Sequence, residues 1–112
     1  MFRESVKMDK RTAIKNIKIF VEKLERDFKI EKIIFFGSRA RGKHKEESDI
    51  DLIIVSPDFK GMNFFERVSK MYEYWDLEMP VDFICYTNEE FNHLKKRISI
   101  VRDAVEEGVV VQ

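Results

Sequence analysis

The sequence predicts an α/β (α+β) fold: a small mixed β-sheet of three to four strands flanked by helices. Three observations lead there. Short apolar runs at 33–36, 49–55 and 81–86 are each bounded by turn-forming residues. The segments around them repeat their apolar residues at helical spacing. The connections then set direction, because a short link joins the first two runs while a helix-length segment separates the second from the third. A short link leaves the end of one strand near the start of the next, and a helical crossover returns the chain to a parallel neighbour.

Taken in order, Ala13, Ile14, Ile17, Phe20, Val21, Leu24 and Phe28 form one stripe, which predicts a helix over 9–29. Ile33 to Phe36 reads as a buried strand ending at Gly37, and 38–48 as a polar connection with room for one helical turn. Asp49 to Val55 is the second strand, stopped by Ser56-Pro57. Residues 62–78 carry Phe64, Phe65, Val68, Met71, Tyr72 and Trp75 as an aromatic stripe expected in the core, with Tyr74 off it and exposed. After Pro80 comes the third strand, Val81 to Tyr86. Thr87 with Glu90 forms a capping box for a helix through about Arg97. A last helix over 99–107 ends at Gly108, read as a C′ residue, before a small closing strand at 109–111.

The chain is expected to be one domain over residues 1–112, 44% hydrophobic and 38% charged. Its formal net charge of zero argues against strong, charge-driven nucleic-acid binding. A single cysteine, Cys85, excludes an intrachain disulfide and a cysteine-based zinc site. No run approaches transmembrane length and the N-terminus lacks an apolar signal core, so no membrane partner and a cytoplasmic location are expected.

Asp49 and Asp51 carry the chemistry. Two residues apart in a strand, they project from one face. At about 4 Å and an effective dielectric near 20, such a pair repels by about 4 kcal/mol. A hard divalent cation with oxygen ligands relieves that repulsion. The parallel crossover brings Asp82, second residue of the third strand, to the same end and face. Three carboxylates on adjacent strands can hold two divalent ions around a nucleoside triphosphate. Gly37-Ser38, separated from Asp49 by ten residues, offers backbone N–H groups and a hydroxyl suited to phosphate, with no Cβ on Gly37 to block approach. Arg39 and Arg41 are candidate phosphate partners. Lys43, His44, Lys45 and His93 are expected in solvent, Cys85 in the core, and Ile19 exposed.

GSRARG, then SDIDLIIV, then VDFI, together with the ending EEFNHLKKRISIVRDAVEEGVVV, closely resemble the minimal nucleotidyltransferases of the DNA polymerase β-like superfamily. The resemblance spans nearly the whole chain and implies that family's small mixed sheet flanked by helices. It implies Asp49, Asp51 and Asp82 as catalytic metal ligands for Mg²⁺, two ions in all, with Asp82 also near the attacking hydroxyl. It implies that Gly37 and Ser38 hold the β- and γ-phosphates of ATP. It further implies an antitoxin that transfers AMP onto a tyrosine of a HEPN-domain partner. Two alternatives stand beside this expectation. One is a non-catalytic module that neutralises a partner by binding it; the other is nucleotidyl transfer to an RNA end or a small molecule. Base preference, acceptor and oligomeric state, including a homo-oligomer, are left open by the sequence.

Overall fold

The first apolar stripe folds as helix α1 (Lys10–Leu24), which buries Ala13, Ile17, Phe20, Val21 and Leu24. The computed structural model describes residues 10–40, 49–77, 79–97 and 100–112. After α1 come strand β1 (Lys32–Phe36), the single helical turn α2 (Gly37–Ala40), and strand β2 (Ile50–Val55). Helix α3 (Phe64–Tyr72), strand β3 (Val81–Tyr86), helices α4 (Asn88–Leu94) and α5 (Ile100–Glu107), and the two-residue strand β4 (Val109–Val110) follow. The sheet order is β3-β2-β1-β4. β1 is antiparallel to both β2 and β4, and β2 is parallel to β3. The mixed sheet is thus the one that the connection lengths predict.

Both faces of this sheet are covered, which is why β1 and β2 read as continuous apolar runs rather than alternating ones. On one face Ile33, Phe35, Ile50, Leu52, Ile54, Val81, Phe83 and Cys85 pack with the buried side of α1, Phe59 and Met71. On the other, Ile34, Phe36, Ile53 and Val55 pack with Phe91 of α4 and with Val101 and Ala104 of α5. Each large side chain buried here contributes about 1.5–3 kcal/mol. Ser56 closes β2: its hydroxyl donates to Lys29 O (2.6 Å) and accepts from the Asp58 amide (3.0 Å), while the Lys29 amide donates to Asp58 Oδ2 (2.8 Å).

Several expectations need correction. The first helix stops at Leu24 instead of continuing to residue 29, and α4 stops at Leu94 before Arg97. Helix α3 is nine residues long, much shorter than 62–78, and its stripe is turned. Phe64, Phe65 and Tyr72 are exposed, while Arg67 lies buried in their place. Arg67 is tolerated there because its guanidinium donates to Met62 O (2.9 Å), Cys85 O (3.1 Å) and Glu90 (2.6 Å). With the helix ended at Tyr72 the phase changes, so Tyr74 turns inward against Phe28 and donates its hydroxyl to Asp27 (2.6 Å). Gly108 is not in the left-handed region. It is glycine because a Cβ would overlap Ala104 O and approach Ile34 Cγ2 to 2.6 Å. The capping box of Thr87 and Glu90 is present as expected, and Asn63 with Glu66 forms a second one on α3.

Candidate active site

The strand register gathers the predicted carboxylates at one end of the sheet. Phe36 pairs with Asp51 across β1 and β2, and Asp51 pairs with Asp82 across β2 and β3. Alternation puts Asp51 on the face of Ile53 and Val55, and Asp82 on the face of Ile84 and Tyr86, which is the α4/α5 face. Asp49 lies one residue ahead of β2 and is half-buried, whereas Asp82 is exposed. The parallel pairing of β2 with β3 therefore does what the crossover argument required.

Gly37 begins α2 directly after β1, at φ +85°. A Cβ at this position would overlap Asp51 Oδ2. Glycine is thus needed twice, for the left-handed backbone and for the close approach of the carboxylate.

The electrostatics mark the site. Burial, then the charge of Asp82, then that of Asp49 push Asp51 up to about 6. Asp82 is also raised, by burial first, then by the charge of Asp49 and a hydrogen bond with it. Asp51 and Asp82, held toward their protonated forms with Asp49 beside them, are a donor set suited to a hard divalent cation. Among the described residues, no three His, Cys, Asp or Glu side chains stand close enough to form a finished metal cage.

Tyr72 belongs to this neighbourhood, although its stripe position suggested core. Its hydroxyl donates to Val81 O (2.5 Å) and its ring meets Phe83 edge-on at 4.9 Å, so it grips β3 on both sides of Asp82. Burial, Asp82 and Asp49 all raise its pKa. A signal for this was present in the sequence: a parallel crossover helix has to end near the start of the next strand, where Asp82 lies. Backbone positions 38 and 39 fall within α2. Arg41, Lys43, His44, Lys45 and the side chains of Ser38 and Arg39 lie outside the described residues. His93 is exposed, and Cys85 is buried with its thiol pushed up to about 12, an inert core residue. Ile19 is 44% exposed, as expected. Among the described residues no helix is long and apolar enough to cross a membrane.

Residues 17–111 match the family model described as a nucleotidyltransferase domain, and the chain belongs to that family of nucleotidyl-transferring enzymes. It is 38% identical over 100 residues to "Putative protein adenylyltransferase MJ0604" of Methanocaldococcus jannaschii, covering 87% of this chain and 95% of that one. It is 32% identical over 76 residues to "Probable protein adenylyltransferase MntA" of Haemophilus influenzae, covering 66% of this chain and 67% of that one. Among solved structures, one described as a "putative nucleotidyltransferase from Sulfolobus solfataricus" superposes with a TM-score of 0.66 at 27% identity, covering 98% of this chain and 87% of that one. Another, described as "the toxin-antitoxin with AMP-PNP", shares the fold with a TM-score of 0.52 at 24% identity, covering 83% of this chain and 70% of that one.

Proposed function

We infer that this chain is a Mg²⁺-dependent protein adenylyltransferase that moves AMP from ATP onto a hydroxyl of a partner protein. By the resemblance in sequence, that acceptor is a tyrosine of a HEPN-type toxin, which the chain restrains as an antitoxin. The single observation that carries the reading is the register Asp51↔Asp82 with Gly37 seated against Asp51. The naming of two relatives as protein adenylyltransferases, and the AMP-PNP bound in a toxin–antitoxin complex of the same fold, support the choice of nucleotide and acceptor.

In the reaction, the acceptor oxygen attacks the α-phosphorus. A new O–P bond forms, the bond to the bridging α–β oxygen breaks, and pyrophosphate leaves. Asp82, exposed near the start of β3, takes the acceptor proton. Gly37 and Ser38 orient the β- and γ-phosphates, with Arg39 and Arg41 as further phosphate partners. Asp49, Asp51 and Asp82 would hold two Mg²⁺ ions, whose charge would offset that of the triphosphate and of the leaving pyrophosphate. Catalysis on this account is mainly positioning and charge neutralisation.

The test is label transfer from α-³²P-ATP with Mg²⁺ into a lysate of the source organism, with γ-labelled ATP as control. A protein band labelled only from the α-phosphate, and absent with Asp49→Asn/Asp51→Asn, is the expected result; equal labelling by the double mutant overturns it. The second reading is a module that neutralises its partner by occupying it. The exposed Phe64 and Phe65 favour this one. It is separated by whether the same double mutant still protects cells from the partner.

A further inference from the structure

Resting on the protein-adenylylation reading above, we propose that the outer shoulder of α3 docks the protein that carries the acceptor hydroxyl, and that this partner presents an apolar segment flanked by basic side chains. Phe64, Phe65 and Tyr72 are 58%, 79% and 46% exposed. Phe65, Val68 and Tyr72 follow at steps of three and four and so share one stripe. Contiguous exposed aromatics mark an interaction surface, and aromatic anchors carry much of the energy in protein interfaces.

The stripe is continuous with the site. At one end the Phe64 ring lies 6.4 Å from that of Tyr86, the last residue of β3. At the other, Tyr72 bonds Val81 O at the start of β3, next to Asp82. From Phe64 to Tyr72 the helix advances about 12 Å along the edge strand toward the carboxylates. A small acceptor has no use for so long an apolar surface, whereas a protein segment laid along it would bring its hydroxyl to Asp82.

Charge selects the occupant. Around the helix from the stripe lie the exposed Glu66 and Glu73, and the stripe ends at Asp82 and Asp49. Lys70 offsets only part of this, through its 3.4 Å pair with Glu73. An apolar strip with acidic borders is complemented by an apolar segment with basic borders. A second copy of this chain would bring the same acidic border to the contact.

The test compares wild type, Phe65→Asp and Glu73→Lys in the α-³²P-ATP transfer assay, alongside binding of a non-hydrolysable ATP analogue and sedimentation of the purified chain. Because both side chains are exposed, melting temperature serves as the check on folding. At least about tenfold less acceptor label with Phe65→Asp, a smaller loss with Glu73→Lys and unchanged analogue binding are expected. Equal labelling by wild type and Phe65→Asp overturns the docking surface and leaves the adenylylation reading standing. Self-association that Phe65→Asp abolishes overturns it in favour of a second copy. No labelled protein with wild type overturns the adenylylation reading and the docking surface with it.

Discussion

Gly37 and Asp51 specify one another. The backbone at Gly37 is left-handed, and the space where a Cβ would stand is taken by the carboxylate. Gly37→Ala is expected to cost about 1–2 kcal/mol in stability and to cut transfer by at least about tenfold, because Asp51 must move. Urea unfolding and the transfer assay check the two effects. Asp51 itself is a destabilising residue without metal. Its pKa in the folded chain, about 6, stands above that of an ordinary aspartate, so the folded state binds the extra proton. The contribution of Asp51 to metal-free stability is therefore most favourable toward pH 4 and is lost as pH rises through about 6. Asp51→Asn removes that penalty. At pH 7 without divalent ions the variant should melt above wild type, and added Mg²⁺ with nucleotide should raise the wild-type melting temperature only. A variant that melts below wild type would show that Asp51 is a structural carboxylate.

Helix α3 and strand β3 act as a unit, because two α3 side chains satisfy carbonyls of this edge strand. Tyr72 bonds Val81 O, and Arg67 bonds Cys85 O. An edge strand so covered is a poor template for pairing with another chain. Arg67→Met should destabilise the fold by about 2–3 kcal/mol, below the cost of breaking a fully buried pair because Glu90 reaches solvent. The hydrogen bond from Arg67 holds Glu90 below the usual glutamate range. Its stabilisation is thus present above that range and is lost as pH falls through the lowered value. Chemical denaturation at neutral and acid pH should show a shallower acid loss in Arg67→Met than in wild type. This is also the element that the sequence hid. The spacing of Phe64, Phe65, Met71 and Tyr72 announces a helix, yet periodicity does not say where the helix ends or which flank meets the sheet. A buried arginine at the centre was legible only once Glu90 and the Cys85 carbonyl were in place around it. Strands announced themselves better, since β1, β2 and β3 are short apolar runs with hard stops.

At the scale of the molecule, chain direction does the work of assembling the site. A short link makes β1 and β2 antiparallel and a crossover makes β2 and β3 parallel, so the end of β1 and the starts of β2 and β3 share one edge of the sheet. That much followed from connection lengths and the phase of Asp82, and the observed register Asp51↔Asp82 agrees with it. The Tyr72 contact followed from the same topology but required knowing where α3 stops. The central claim is that carboxylates at the heads of β2 and β3 hold divalent metal together with a triphosphate. Its most direct test is binding of Mn²⁺, an electron-paramagnetic stand-in for Mg²⁺, to the whole chain with and without a non-hydrolysable ATP analogue. Wild type and the exposed-site control Asp76→Asn should bind Mn²⁺ in an analogue-dependent way, and Asp51→Asn and Asp82→Asn should not. Equal binding by all four proteins, or none by wild type, would contradict the account.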